Sequence, residues 1–166
     1  MRLVILISTL LFMTTTTLFN FNKTSDTSNW RIVDDVVMGG RSNGSFEINT
    51  EGHGKFSGKI SLENNGGFSS LRYRFNTKDV SVYSKVTLRV KGDGNNYQFR
   101  IKTSSRDYAS YICEFETTTD WMTIEIPFTA MEPRFRGRRL NDPNFPGKQM
   151  EEIAFLIGNK KEQSFE

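Results

Sequence analysis

The first residues whose types and spacing could do chemistry are Asp34 and Asp35, adjacent carboxylates in "WRIVDDVVMGGRSNGSF" (residues 30–46). Two converging carboxylates could act as general acid and base, and one carboxylate with loop carbonyls could ligate a hard cation such as calcium. The surrounding residues read as an extended strand, where neighbouring side chains point to opposite faces, so a shared centre is disfavoured. No D-x-D-x-D spacing accompanies the pair, which leaves calcium as the weaker alternative. The leading account is structural: one aspartate caps backbone N–H groups of the glycine turn at Gly39 and Gly40.

The other reactive types are sparse. One cysteine, Cys113, excludes an internal disulfide and any multi-cysteine zinc site, and the single His53 leaves little for a histidine-based one. Cys113 alternates with apolar residues in "DYASYICEFET" and reads as a small buried hydrophobe, since no second histidine offers a base. No catalytic constellation emerges, and no cofactor is implied. A net charge of +3 is mild, and the basic residues are not clustered as a nucleic-acid binder clusters them.

Two sets of basic residues read as contact surfaces instead. "PRFRGRRL" crowds Arg134, Arg136, Arg138 and Arg139 around Phe135 and Gly137, a composition suited to a protein partner or to anionic lipid headgroups. Along the chain, the polar faces of successive strands carry Arg72 and Arg74, Arg89 and Lys91, then Arg100 and Lys102, followed by Glu114, Glu116 and Glu125. In one sheet these would form a basic stripe passing into an acidic one. That is either cross-strand ion pairing or a polar groove for a partner or a glycan. Asn64 and Asn65, ahead of Gly66 and Gly67, form a turn or contact sugar hydroxyls.

The elements that must hold these residues are short strands. "FSSLRYRF", "KVTLRVK", "YQFRIKT", "YICEFET" and "WMTIEIPF" alternate apolar and polar side chains with a period of two, the mark of half-buried antiparallel strands. "NNGGF", "KGDGNN" and "TTTDW" punctuate them, and Gly92-Asp93-Gly94 predicts a tight hairpin. "DPNFPGKQMEEI" predicts one short helical segment before "AFLIGN" returns to strand. The 166 residues, 36% of them hydrophobic and including 14 Phe, suffice for one β-sandwich or jelly-roll domain with a large core.

"MRLVILISTLLFM" pairs Arg2 with an uncharged apolar run too short to span a bilayer, so residues 1–20 read as an export signal or anchor. The segment is neither amphipathic nor arginine-rich, which favours a periplasmic or membrane-associated protein over a mitochondrial one. Residues 21–29 read as a flexible lead-in and 30–166 as the domain, whose closing strand at "KKEQSFE" leaves room for truncation.

Taken together, "WRIVDDVVMGGRSNG", "GKFSGKISLENNGGFSSLR", "VKGDGNNYQFRI", "DWMTIEIPF" and "PRFRGRRL" resemble the complex I intermediate-associated protein 30 family, from Trp30 to the C-terminus. The resemblance makes Trp30, Asp34, Asp35, Gly39, Gly40, Asn64, Gly66, Gly67, Gly92, Asp93, Gly94 and Trp121 motif residues. It implies a galactose-binding-domain-like jelly roll of all-β class. It also implies a non-enzymatic role in assembling membrane respiratory complexes through protein contacts. The alternative is an exported carbohydrate-binding module, which would use exposed Trp or Tyr in a groove. Trp30 and Trp121 open motifs where burial is expected, which favours the assembly role.

Overall fold

The computed structural model describes residues 15–166. Twelve strands follow one another: β1 (Trp30–Asp34), β2 (Asn43–Ile48), β3 (Gly54–Ile60), β4 (Ser69–Asp79), β5 (Lys85–Val90), β6 (Asn96–Lys102), β7 (Ser110–Glu116), β8 (Met122–Pro127), β9 (Glu132–Phe135), β10 (Arg138–Arg139), β11 (Gln149–Ile157) and β12 (Gln163–Phe165). One layer is a seven-stranded antiparallel sheet in the order β1-β4-β11-β6-β7-β9-β10. Facing it are a three-stranded sheet, β12-β3-β2, and a two-stranded one, β5-β8. The result is the jelly-roll β-sandwich that the period-two alternation predicts, with single 3-10 turns as the only helical elements among the described residues.

Alternation decides which side chains enter the core. Leu71, Tyr73, Phe99, Ile101, Cys113, Phe115, Ile153 and Phe155 point from the large sheet toward Val86, Leu88 and Ile126 of the opposite layer. Phe99 and Ile101 are completely buried. Trp30 stacks on Tyr73 with ring centroids 4.6 Å apart. A second cluster joins Ile60, Tyr97, Ile157 and Phe165, so the short β12 is pinned through its phenylalanine.

Three expectations are revised. The predicted helical segment is a run of bends leading into β11, because Pro143, Pro146 and the positive φ of Gly147 (64°) break any helix. The predicted hairpin at Gly92-Asp93-Gly94 is a crossover, since β5 pairs with β8 while β6 lies in the large sheet. Its loop closes against residues 117–118 instead: the Gly92 N–H donates to the Thr118 carbonyl, and a Cβ at Gly92 would collide with Thr117. Asp93 then accepts from Asn95 N–H (3.0 Å), Tyr97 O–H (3.2 Å) and Glu166 N–H (3.0 Å), tying β12 to the loop.

The third revision concerns the lead-in. Leu18, Phe19 and Phe21 pack against the core upstream of Trp30. Phe21 lies 5.2 Å from Trp30 and 5.7 Å from Phe46, and glycine at position 54 leaves room for its ring. Aromatic rings flanking a strand are too costly to leave in water when a groove is at hand. The expected leader is described only from residue 15 onward; residues 1–14 lie outside the described residues. Phe21→Ala should therefore destabilise the domain by about 2 kcal/mol, the range for a partly buried large-to-small change. An unchanged urea midpoint would restore the flexible lead-in.

Candidate functional site

Asp34 and Asp35 divide as strand geometry requires. Asp34 ends β1 and accepts from Gly44 N–H at 3.0 Å. Asp35 begins a 3-10 turn and is fully buried. One of its oxygens accepts from Ser42 N–H at 2.9 Å; the other accepts from Ser42 O–H (2.5 Å), Gly67 N–H (2.5 Å) and Phe68 N–H (3.2 Å). Burial pushes the Asp35 carboxyl up, but the bonds from Ser42, Gly67 and Phe68 outweigh it and leave it below the ordinary carboxylate value. Four donors aimed at one carboxylate are the opposite of a cation cage, so the calcium alternative does not fit.

One glycine of each motif makes room for this carboxylate. A Cβ at Gly40 or at Gly66 would overlap the Asp35 side chain. Gly39 (φ 91°) and Gly67 (φ 129°) take backbone conformations that L side chains rarely adopt. Asn64 donates to the Gly39 carbonyl at 3.1 Å, and Asn64 and Asn65 themselves have positive φ. The asparagine pair is thus a turn former, while the 3-10 turn that begins at Asp35 exposes Val36, Val37 and Met38.

Contact chemistry lies on the face of the seven-stranded sheet that points away from the core. Register places Arg31, Arg72, Ala154, Arg100, Ile112 and Glu132 in one line across β1, β4, β11, β6, β7 and β9. Arg74, Glu152 and Lys102 form the next line. Glu152 is almost fully buried and meets Arg31 (3.6 Å), Arg72 (3.8 Å) and Arg74 (2.5 Å). It follows a β-bulge between Met150 and Glu152, a device that re-aims a side chain.

Glu152 does not stand out in the sequence, because "QMEEI" reads as part of a helical segment. The available signal was a lone charge alternating with Ala154 and Leu156 in an apolar strand. The expected basic stripe is also narrower than predicted. Arg89, Lys91 and Glu125 fall on or beside the two-stranded β5-β8 sheet of the opposite layer, because β5 crosses between layers.

The basic loop is the β9–β10 hairpin at the edge of the large sheet. Arg136 (φ 48°) and Gly137 (φ 78°) make its two-residue turn. Arg134 and Arg139 share Glu132 at 3.1 and 3.2 Å, and Arg134 also reaches Glu114 at 3.7 Å. Arg136 and Arg138 meet no carboxylate among the described residues, and charge on an edge strand also discourages unwanted pairing. Phe135 is exposed and packs edge-on against exposed Tyr108, with centroids 5.3 Å apart.

Trp30 is buried, but Trp121 is 41% exposed, against expectation. It heads β8 at the seam between the two smaller sheets, where Arg89 lies 4.1 Å over its ring and His53 packs edge-on at 4.7 Å. A cation over the ring supplies the contact that a core would have given. Cys113 is half-buried, and burial first, then Glu114 and Glu132, push its thiol up, away from nucleophilic use.

The architecture defines a fold class, the jelly-roll β-sandwich, which carbohydrate-binding modules share. A family 11 carbohydrate-binding module from a cellulosomal cellulase of Clostridium thermocellum superposes with a TM-score of 0.62 at 19% identity, covering 87% of this chain and 86% of that one. The same kind of module bound to a β-1,3-1,4-mixed-linked tetrasaccharide gives 0.60, with 87% and 88% covered. At that identity the likeness concerns the fold alone.

The sequence profile of Complex I intermediate-associated protein 30 matches residues 19–166, and the chain belongs to that family. A curated relative, the mitochondrial Complex I intermediate-associated protein 30 of Drosophila melanogaster, is 23% identical over 170 residues, covering 89% of this chain. The chain spans 57% of that relative's length.

Asp35→Ala should cost about 3 kcal/mol, because buried donors lose their acceptor, against about 1 kcal/mol for Asp34→Ala. The lowered Asp35 carboxyl adds stability that is whole above the ordinary Asp value and lost as pH falls through the folded-state value. Urea midpoints measured on both variants and down the acid limb test this; equal midpoints would remove Asp35 from its central place.

Proposed function

We propose that this chain is a non-catalytic binding module that assists assembly of a membrane protein complex of the respiratory complex I type by holding a protein partner. The single observation that carries this reading is the family match across residues 19–166. The surface chemistry supports it. Arginines with an exposed aromatic pair at the β9–β10 hairpin are the residue types that protein interfaces favour. The apolar run "MRLVILISTLLFM" supports placing the module in an exported, membrane-associated setting.

A second reading, an exported carbohydrate-binding module, draws on the fold likeness. Against it, the outward face of the large sheet carries no aromatic ring among the described residues on which a sugar could stack. The exposed Trp121 has its ring covered by Arg89.

Native electrophoresis of mildly solubilised membranes separates the two. The assembly reading expects the chain to co-migrate with partial membrane complexes and to be absent from the finished one. Arg136→Glu with Arg138→Glu should weaken that association at nearly unchanged Tm, since neither arginine has a carboxylate to lose. A free chain that is instead retarded in gels containing mixed-linked β-glucan would replace this reading with the carbohydrate one.

A further inference from the structure

The outward face of the seven-stranded sheet carries more positive charge than folding can use. Glu152 is the one carboxylate serving Arg31, Arg72 and Arg74. Arg100, in the middle of the line, meets no carboxylate among the described residues. Its Nε and Nη2 donate only to the neutral Gln98 Oε1, at 3.2 and 2.6 Å. Burial, then the charges of Arg72 and Arg134, push its guanidinium down to about 10. Like charges held close at this cost are a loss to the folded state, recovered only when an anion arrives.

The donors are also incompletely used. Arg72 Nε and Arg134 Nε are buried and have no acceptor. Between Arg72 and Arg100 the register puts Ala154, and between Arg100 and β9 it puts Ile112, both buried. The arginine side chains lie over this small apolar floor, and its low polarity strengthens any charge-assisted bond formed beside it.

We propose that this face is the docking site for an acidic segment of a partner protein, whose carboxylates seat beside Arg72 and Arg100. The inference rests on the protein-partner reading and adds the partner's chemistry. Arg72 and Arg100 stand in one register line on alternate strands, so their backbones are about 10 Å apart, twice the strand spacing. One small anion bridges a single pair at most. A peptide in polyproline II conformation crossing the strands returns a side chain to the same face about every 9 Å, at every third residue, and can present carboxylates to both Arg72 and Arg100.

The test is fluorescence anisotropy of the full chain with a labelled hexaglutamate peptide and a matched hexaglutamine. Hexaglutamate should bind, raise the Tm, and lose affinity steeply from about 50 to about 300 mM NaCl; hexaglutamine should not bind. Arg100→Gln should weaken binding by about tenfold or more, and Arg100→Lys, which keeps the charge without the fork, by severalfold. Arg89→Gln, on the opposite layer, makes the same change in net charge and should leave binding intact.

Failure of hexaglutamate to bind would overturn the proposal, as would equal loss in Arg89→Gln and Arg100→Gln. Full displacement by inorganic phosphate at equal concentration would do the same, by assigning the face to a single small anion. In each of these cases co-migration with partial membrane complexes is unaffected, so the assembly reading stands or falls separately.

Discussion

Four hydrogen bonds converge on the buried carboxylate of Asp35, and the upper end of the sandwich is arranged around them. The Ser42 N–H and O–H bring in the start of β2, and the Gly67 and Phe68 N–H groups bring in the segment that opens β4. A buried charge is tolerable only when fully solvated by protein donors, so every group near it is constrained. Gly40 and Gly66 must lack a Cβ, Gly39 and Gly67 must take left-handed backbone, and Asn64 must close the turn. Two stretches that lie far apart in sequence are therefore one motif in space.

With that end fixed, β1 and β4 are held in register, and register is what builds the outward face. Arg31 stands opposite Arg72 because Asp34 stands opposite Ser69 at the foot of the same ladder. A one-residue slip of β1 would turn Arg31 toward the core and Trp30 into water. The bulge before Glu152 then sets the buried carboxylate of that face against three arginines. Stability and surface chemistry are coupled through the strand register, with no contact between the Asp35 network and the arginine face required.

The smaller layer plays a different part. Its two sheets meet where Arg89, Trp121 and His53 stack, and its inner faces complete the core. Asp93, in the loop that crosses between layers, binds the Glu166 N–H beside β12 and the Tyr97 hydroxyl, which burial and then the charge of Asp93 push well above its ordinary value. Fold and family alone leave the ligand open, since the same sandwich carries unrelated functions. In this chain the outward sheet face carries Arg31, Arg72, Arg74 and Arg100.

The sequence determined the strands, the sandwich and the family, because period-two alternation and glycine turns are local signals. "FSSLRYRF" and "YQFRIKT" could be read strand by strand, and "DDVVMGG" and "NNGG" could be recognised as motifs. That the two motifs share one carboxylate was not legible, since Asp35 and Gly67 are brought together only by the pairing of β1 with β4. Equally, Gly92-Asp93-Gly94 has the composition of a hairpin, and only the layer assignment of β5 makes it a crossover. Arg72 and Arg100 carried no mark that separated them from Arg89. Which arginines are neighbours depends on strand order, and strand order is settled by long-range packing of the core, not by any residue's own preference.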